Sequence, residues 1–250
     1  MTDDETVARA YELAALDRDF ILGDSMRGAR FMMEYAKAEE HLRRRRIRST
    51  VVVFGSARIR PGGGEWQSRM YQAARAFGRI VSEKGGALSG EDGWRDNVIA
   101  TGGGPGVMEA ANRGAQQAGA VTIGFNIALP HEQRPNRYIT PDLCFQFHYF
   151  AMRKMHLAMR ANALAIFPGG FGTLDELFEL LTLSQTGKSP AIPVVLYDRD
   201  FWTRMVNFGG LAETGMISAD DLESFDFADD PDEAWEKLTA RGLSAHPPQA

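Results

Sequence analysis

The sequence predicts an α/β fold: a doubly wound, mostly parallel sheet with helices on both faces, preceded by an N-terminal helical extension. Three observations carry the prediction. From Thr50 onward, short β-branched apolar runs alternate with amphipathic helical stretches. Three of the strand-like runs end in conspicuous turns, FGSAR, TGGGPG and FPGGFGT, at the strand ends where such sheets hold ligands. The 250 residues are enough to bury one core of this kind.

Residues 1–48 read as that extension and residues 49–250 as a single Rossmann-like domain. Residues 5–48 read as two or three helices and end in HLRRRRIRS. That run of arginines reads as a nucleic-acid or membrane patch, as a solvated helix C-terminus or as a charged seam between subunits. TVVVFGSA (Thr50–Ala57) is a strand stopped by Gly55, and Glu65 to Lys84 is a helix closed by Gly85-Gly86. NVIATGGGPG is a short strand entering glycines, and VMEAANRGAQQAG the helix after it. AVTIGFNIALP and LCFQFHYF are strands, AMRKMHLAMRANA a helix, ALAIF a strand and TLDELFELLTLSQ a helix. IPVVLYD is a strand, FWTRMVNFGGLAETG a helix, and the tail ends in a helix near AWEKL. Ala57–Gly64 and Ser89–Arg95 read as mobile loops. Regular alternation of this kind gives a Rossmann-like sheet covered on both faces.

Hydrophobic residues at 44% and charged residues at 24% are ordinary globular values. A net charge of −5 argues against a dedicated nucleic-acid binder. Cys144 is the only cysteine, which excludes an internal disulfide and a multi-cysteine metal site, and its apolar setting reads as a buried, inert thiol. No apolar run approaches the ~18 residues of a membrane span, and the acidic start is no secretory signal. A cytoplasmic protein is expected.

The glycine loops fail the familiar fingerprints. G-x-G-x-x-G needs glycine where Val107 and Asp175 stand, and the GKS at Gly187–Ser189 would need glycine in place of Thr182 for a nucleoside-triphosphate loop. What remains is a strand, glycines and a helix, twice over. Unpaired N–H groups and the helix dipole make such a turn an anion site. The two loops either share one polar cleft or divide the work, one binding ligand and one packing tightly.

Between them lies AMRKMHLAMR. Arg153, His156 and Arg160 fall on one helical face, beside an apolar stripe of Met152, Met155 and Met159 read as core. Arg153 and Lys154 stand in the first turn, where a guanidinium suits a phosphate or a ribose hydroxyl. His156 reads as structural. Thr173 followed by Glu176 fits a capping box, T-x-x-E. The other reading puts Glu176 in the first helical turn beside a bound phosphate, where it accepts a proton or faces a developing cation.

These residues resemble a known family. PGGFGTLDE is similar to the PGGxGTxxE signature of the LOG (Lonely Guy) family, and Arg153-Lys154 stand fifteen residues before Pro168, as the family's Arg-Lys pair does. GGGPGVMEAANRGA and LPHEQRPN look like its longer bacterial branch, and the resemblance covers roughly residues 50–200. Members are phosphoribohydrolases that release a base from a nucleoside 5′-monophosphate, known best for cytokinin ribotides; many once carried a lysine decarboxylase label. The resemblance implies that Arg153 and Glu176 are the catalytic pair. It implies that Gly170, Gly172 and Thr173 hold the 5′-phosphate, with Gly169, Gly103 and Gly104 also binding substrate. Lys154, Asp175 and Thr182 then line the nucleotide site, with Glu132 near the ribose or base. It implies a homodimer or higher homo-oligomer with the site near the interface. Short members have another pattern after their first three glycines and lack the N-terminal helices, which leaves the base open.

The chemistry is consistent with that implication. Cleaving an N-glycosidic bond builds positive charge on the ribose, which a carboxylate near C1′ stabilises. The reaction needs no metal and no cofactor. The competing reading is a carrier of the same fold that holds a nucleotide or pterin-type cofactor without chemistry; it predicts a missing Arg or Glu, and both are present. A pyridoxal-phosphate decarboxylase needs a Schiff-base lysine, and only Lys154 lies near the loops.

Overall fold

The first strand, β1 (Thr50–Phe54), is buried at all its positions because it lies at the centre of a seven-stranded parallel sheet. In the computed structural model, residues 10–88, 90, 92–129 and 134–245 are described. The other strands are β2 (Val98–Thr101), β3 (Ile123–Ile127), β4 (Cys144–Phe147), β5 (Ala161–Ile166), β6 (Val194–Tyr197) and β7 (Asp226–Ala228). Their order is β4-β3-β2-β1-β5-β6-β7 and every pairing is parallel. The chain builds outward from β1 to β4, then returns to place β5 on the other side of β1. The switch point therefore lies between β1 and β5, and the crevice there is the expected ligand position.

Nine α-helices accompany the sheet among the described residues: α1 (Arg18–Leu22), α2 (Arg27–Arg44), α3 (Glu65–Lys84), α4 (Val107–Gln117), α5 (Phe150–Met159), α6 (Phe171–Gln185), α7 (Arg199–Met205), α8 (Phe208–Glu213) and α9 (Pro231–Ala240). Alternate residues of β1 serve opposite faces, as a period of two requires. Val51 and Val53 pack with Phe77 of α3, Ala110 of α4 and Leu238 of α9. Val52 and Phe54 pack with Leu42 of α2, Leu157 of α5 and Leu177 of α6.

On the first face α3 and α4 come close enough to require glycine. A Cβ on Gly114 would stand 1.9 Å from the Arg75 carbonyl oxygen, and one on Gly78 would stand 2.3 Å from that of Ala111. Both obstacles are backbone, so no rotamer change relieves them. Gly114→Ala is therefore expected to lower stability by about 3 kcal/mol, read as a fall in the urea midpoint without a change in slope.

Several boundaries differ from the sequence expectation. The helix predicted over FWTRMVNFGGLAETG is two helices, because the Asn207 side chain accepts from Gly210 N at 2.9 Å and starts α8 afresh. Strand β5 begins at Ala161, so α5 ends at Met159 and Arg160 is its C-cap. The short edge strand β7 was not foreseen; three residues beginning with aspartate carry little strand signal. Of the loop expected at Ser89–Arg95, Ser89 and Glu91 lie outside the described residues.

The arginine run is a set of ion pairs. Arg43 meets Glu39 at 2.6 Å, Arg44 meets Glu40 at 2.5 Å, and Arg45 grips Asp142 with two nitrogens at 2.6 and 2.8 Å. Arg48 grips Asp96 the same way at 2.8 and 2.7 Å. Most of the positive charge legible in HLRRRRIRS is thus balanced by neighbouring carboxylates. No helix among the described residues is long and apolar enough to cross a membrane.

Candidate active site

Three strand-to-helix turns meet at the switch point, and backbone hydrogen bonds join them. Ser56 N, after β1, donates to the Pro168 carbonyl after β5 at 3.0 Å, and Val107 N donates to the Ser56 carbonyl at 3.2 Å. Gly106 makes this possible. Its φ of 75° lies in the region that favours glycine, and a Cβ there would meet Ser56 O at 2.3 Å.

The TGGG turn after β2 rests on a buried polar network. Thr101 Oγ1 accepts from Gly103 N at 3.0 Å and donates to Asn112 Oδ1 at 2.8 Å. Asn136 Nδ2 donates to Asn112 Oδ1 at 2.9 Å and to the Gly104 carbonyl at 3.0 Å, while Asn136 N reaches the Gly103 carbonyl at 2.9 Å. Gly103 has φ +74°, and a Cβ on it would stand 2.4 Å from the Asn126 amide. The structure thus gives Gly103 and Gly104 a visible packing role. The sequence does not single out Asn112, inside α4, or Asn136, in a loop, because their partners are remote and neither position carries a distinctive local signal.

The turn after β5 is built differently. Helix α6 begins at Phe171 with Gly170 as its N-cap, and no side chain caps it. This overturns the capping box: Thr173 is the third residue inside the helix, and Glu176 is the sixth, in the second turn rather than the first. Thr173 instead packs on Gly169, where a Cβ would lie 2.0 Å from its Oγ1. Gly170 and Gly172 have open space where a Cβ would be. The helix N-terminus is accordingly uncapped by side chains and sterically open, the two conditions an incoming anion needs.

Helix α5 delivers Arg153 to the same place. Arg153 Nε donates to the Phe125 carbonyl in the middle of β3 at 2.8 Å, and Nη1 lies 3.5 Å from Glu176 Oε1. A Cβ on Gly102 would stand 2.6 Å from Arg153 Nη2, so the guanidinium rests against the first glycine of the β2 turn. One side chain therefore links both glycine loops, which favours the shared cleft.

The electrostatics are unequal. Glu176 is only 4% exposed, and burial raises its carboxyl to about 7 despite the opposing pull of Arg153 and then Lys154. Burial also lowers Arg153, yet a guanidinium stays charged. At 3.5 Å the pair is at the outer limit of a hydrogen bond, so the carboxyl is only loosely held by its counter-charge. A carboxyl poised near neutrality and loosely paired can take up and release a proton.

Lys154, the next residue, also meets α6, pairing with Asp175 at 2.7 Å and Glu179 at 2.8 Å. These residues, with Phe178, Thr182 and Leu183, line an open groove of about 420 Å³. Thr182 Oγ1 donates back to the Phe178 carbonyl at 2.6 Å. Glu132 lies outside the described residues.

The helical face read from AMRKMHLAMR does not act as a unit. His156 is buried among Tyr35, Phe125 and Phe147 with centroids 5.5–6.0 Å away, and burial lowers its pKa, keeping it neutral. Arg160 pairs with Glu39. The methionine stripe is not fully core, since Met159 is exposed and α5 buries only His156 and Leu157. Cys144 is half-buried rather than buried, and burial pushes its thiol up.

The chain is similar to several known proteins. A family model described as possible lysine decarboxylase matches residues 108–238. A protein of Mycobacterium marinum named cytokinin riboside 5′-monophosphate phosphoribohydrolase is 30% identical over 180 residues, covering 68% of this chain and 92% of its own. A protein of the same name from Mycobacterium tuberculosis is 28% identical over 173 residues, covering 64% of this chain and 86% of its own. Among solved structures, the molybdenum cofactor binding protein of Rippkaea orientalis superposes with a TM-score of 0.51 at 21% identity, over 78% of this chain and 97% of that one. The structural-genomics target TM1055 superposes with a TM-score of 0.53 at 22% identity, over 77% and 99%. At these identities the superpositions establish a common fold. The family model spans more than half of the chain, and the sequence relatives agree with it: the chain belongs to the LOG family, whose model carries the description possible lysine decarboxylase.

Proposed function

We propose that the protein is a nucleoside 5′-monophosphate phosphoribohydrolase, hydrolysing the N-glycosidic bond of an AMP-like or cytokinin riboside monophosphate to free base and ribose 5-phosphate. The observation that carries this reading is the buried Glu176 carboxyl, raised to about 7 and 3.5 Å from Arg153, one turn behind the open glycine start of α6. The 5′-phosphate sits on the uncapped amides at Gly170 and Gly172, where dipole and N–H groups both favour an anion. That anchor fixes the ribose, so binding energy remote from the reacting bond contributes to its cleavage.

The C1′–N bond then breaks with its electron pair leaving on the base, and positive charge develops on the ribose. Ionised Glu176 faces that charge. A water oxygen bonds to C1′, one water proton passes to Glu176, and that proton goes on to the departing base nitrogen, which returns Glu176 to its ionised form. Arg153 holds the carboxylate's orientation through the Phe125 carbonyl and steadies its ionised form. The working unit in this reading is a homodimer or higher homo-oligomer. The exposed Phe171 at the cleft and Phe178 on α6 are consistent with a partner covering that face.

The test is a panel of AMP, GMP, CMP and cytokinin ribotides incubated with the purified protein. Base is expected from at least one. Because the reaction uses ionised Glu176, the rate is expected to rise with pH and level off above about 7, falling about tenfold per unit below it. Tight binding without base release from any member would establish a carrier instead.

A further inference from the structure

Helix α5 positions Arg153, yet its own sequence gives it little hold. Its N-cap, Tyr149, makes no side-chain capping bond, and only His156 and Leu157 are buried along its length. The hold comes from α2. Glu34 Oε1 accepts from His148 N at 2.7 Å and its Oε2 accepts from Tyr149 N at 3.3 Å, so a carboxylate from another helix sits at the N-terminus of α5. The 2.7 Å bond has the length of a strong charge-assisted one, the 3.3 Å bond is weaker, and an anion at a helix start is favoured by the dipole.

The contact continues along α5. Arg30 Nε donates to the Tyr149 hydroxyl at 2.9 Å, and Phe31 meets the Tyr149 ring edge-on at 4.3 Å. Tyr35 stacks on His156 at 5.5 Å. At the far end Glu39 accepts from Arg160 at 2.7 and 2.8 Å, and Arg160 holds that carboxyl at about 2. Residues 30, 31, 34, 35 and 39 form one stripe of α2, spaced as a helical face requires. The stripe grips the start, middle and end of α5.

We infer that Glu34 is a positioning residue for the reaction: by holding the start of α5 it sets where Arg153 stands against Glu176. The inference rests on the proposed phosphoribohydrolase reading for its kinetic consequence, and on geometry alone for the placement of Arg153. The margin is small, because Arg153 Nη1 is already 3.5 Å from Glu176 and only one bond, to the Phe125 carbonyl, ties its Nε. A slide of α5 by a fraction of an ångström would weaken both. Glu176 is faced by Arg153 and Lys154 from α5 and by Asp175 and Glu179 of its own helix. Withdrawing Arg153 therefore lets burial and the two acids push its carboxyl further up.

The experiment compares full-length wild type, Glu34→Ala and Glu34→Gln, the last keeping one acceptor oxygen. Two readouts are taken: the Glu176 carboxyl titration by carbon-13 NMR, assigned with Glu176→Gln, and kcat and KM on whichever monophosphate the wild type cleaves. Glu34→Ala is expected to raise the titration midpoint by about one unit and to lower kcat about tenfold with little change in KM. Glu34→Gln should recover most of both. If Glu34→Ala lowers only the melting temperature and leaves midpoint and kcat at wild-type values, the inference is overturned. If Glu34→Ala does not fold, Glu34→Leu, which fills the space without an acceptor, takes its place: an upward shift supports the inference and an unmoved midpoint refutes it. Should the wild type cleave no monophosphate, the function proposed above falls, and the NMR midpoint still judges the positioning role.

Discussion

Glu176→Gln is expected to abolish base release, by about a thousandfold or more, while making the protein more stable at pH 8. Glutamine keeps the shape of the protonated carboxyl but neither accepts the proton from water nor faces a cation with a charge. The stability gain follows from linkage. The carboxyl titrates near 7 in the folded chain against 4.5 as its ordinary value. Between those two values the folded state holds a proton that the unfolded state has released, so stability falls as pH rises through that window and the loss is complete above about 7. A difference of this size corresponds to about 3 kcal/mol, which the variant does not lose. Melting curves at pH 4 and pH 8 check it: the two proteins should coincide at the lower pH and separate at the higher. Release at the wild-type rate would reduce Glu176 to a buried structural acid.

Arg153→Met is expected to lower turnover by about two to three orders of magnitude and to cost stability at pH 8. The change removes the guanidinium that pulls Glu176 downward and the donor that meets the Phe125 carbonyl at 2.8 Å. An ionised carboxylate buried without its partner is costly, so Glu176 takes up a proton instead and titrates above its wild-type position. The acid limb of the pH–rate profile moves upward accordingly. In the double variant Arg153→Met/Glu176→Gln no buried charge remains. Stability at pH 8 should then recover most of what Arg153→Met lost, while activity stays absent. Additive stability changes across the two single variants and the double would show that the pair does not interact.

A good part of the fold was legible in the chain because its signals are local. Alternating runs such as TVVVF and the period of EWQSRMYQAARAFGRIVSEK mark β1 and α3 almost to the residue. The glycine turns after β2 and β5 announce strand-to-helix junctions for the same reason. Local signals also misled. T-x-x-E before a leucine-rich helix reads as a cap, but α6 starts at Phe171 and carries Glu176 into its second turn, where burial and not capping governs it. The arginines of HLRRRRIRS leave a basic patch, a solvated helix end and a charged seam all open until Glu39, Glu40, Asp96 and Asp142 are seen beside them.

By itself, then, the sequence determined the alternation of strands and helices, the two glycine-rich turns and the residue types that can carry the chemistry. Each of these depends on neighbours within a few positions. Only the tertiary structure decided that Arg153 meets Glu176, that Asn136 holds the first glycine turn, that Lys154 belongs to Asp175 and Glu179, and that Glu34 caps a helix more than a hundred residues away. Those pairings are made by the order of strands in the sheet and by helices packing across it. A carboxylate's proton affinity follows from what surrounds it in space, which no spacing along the chain records.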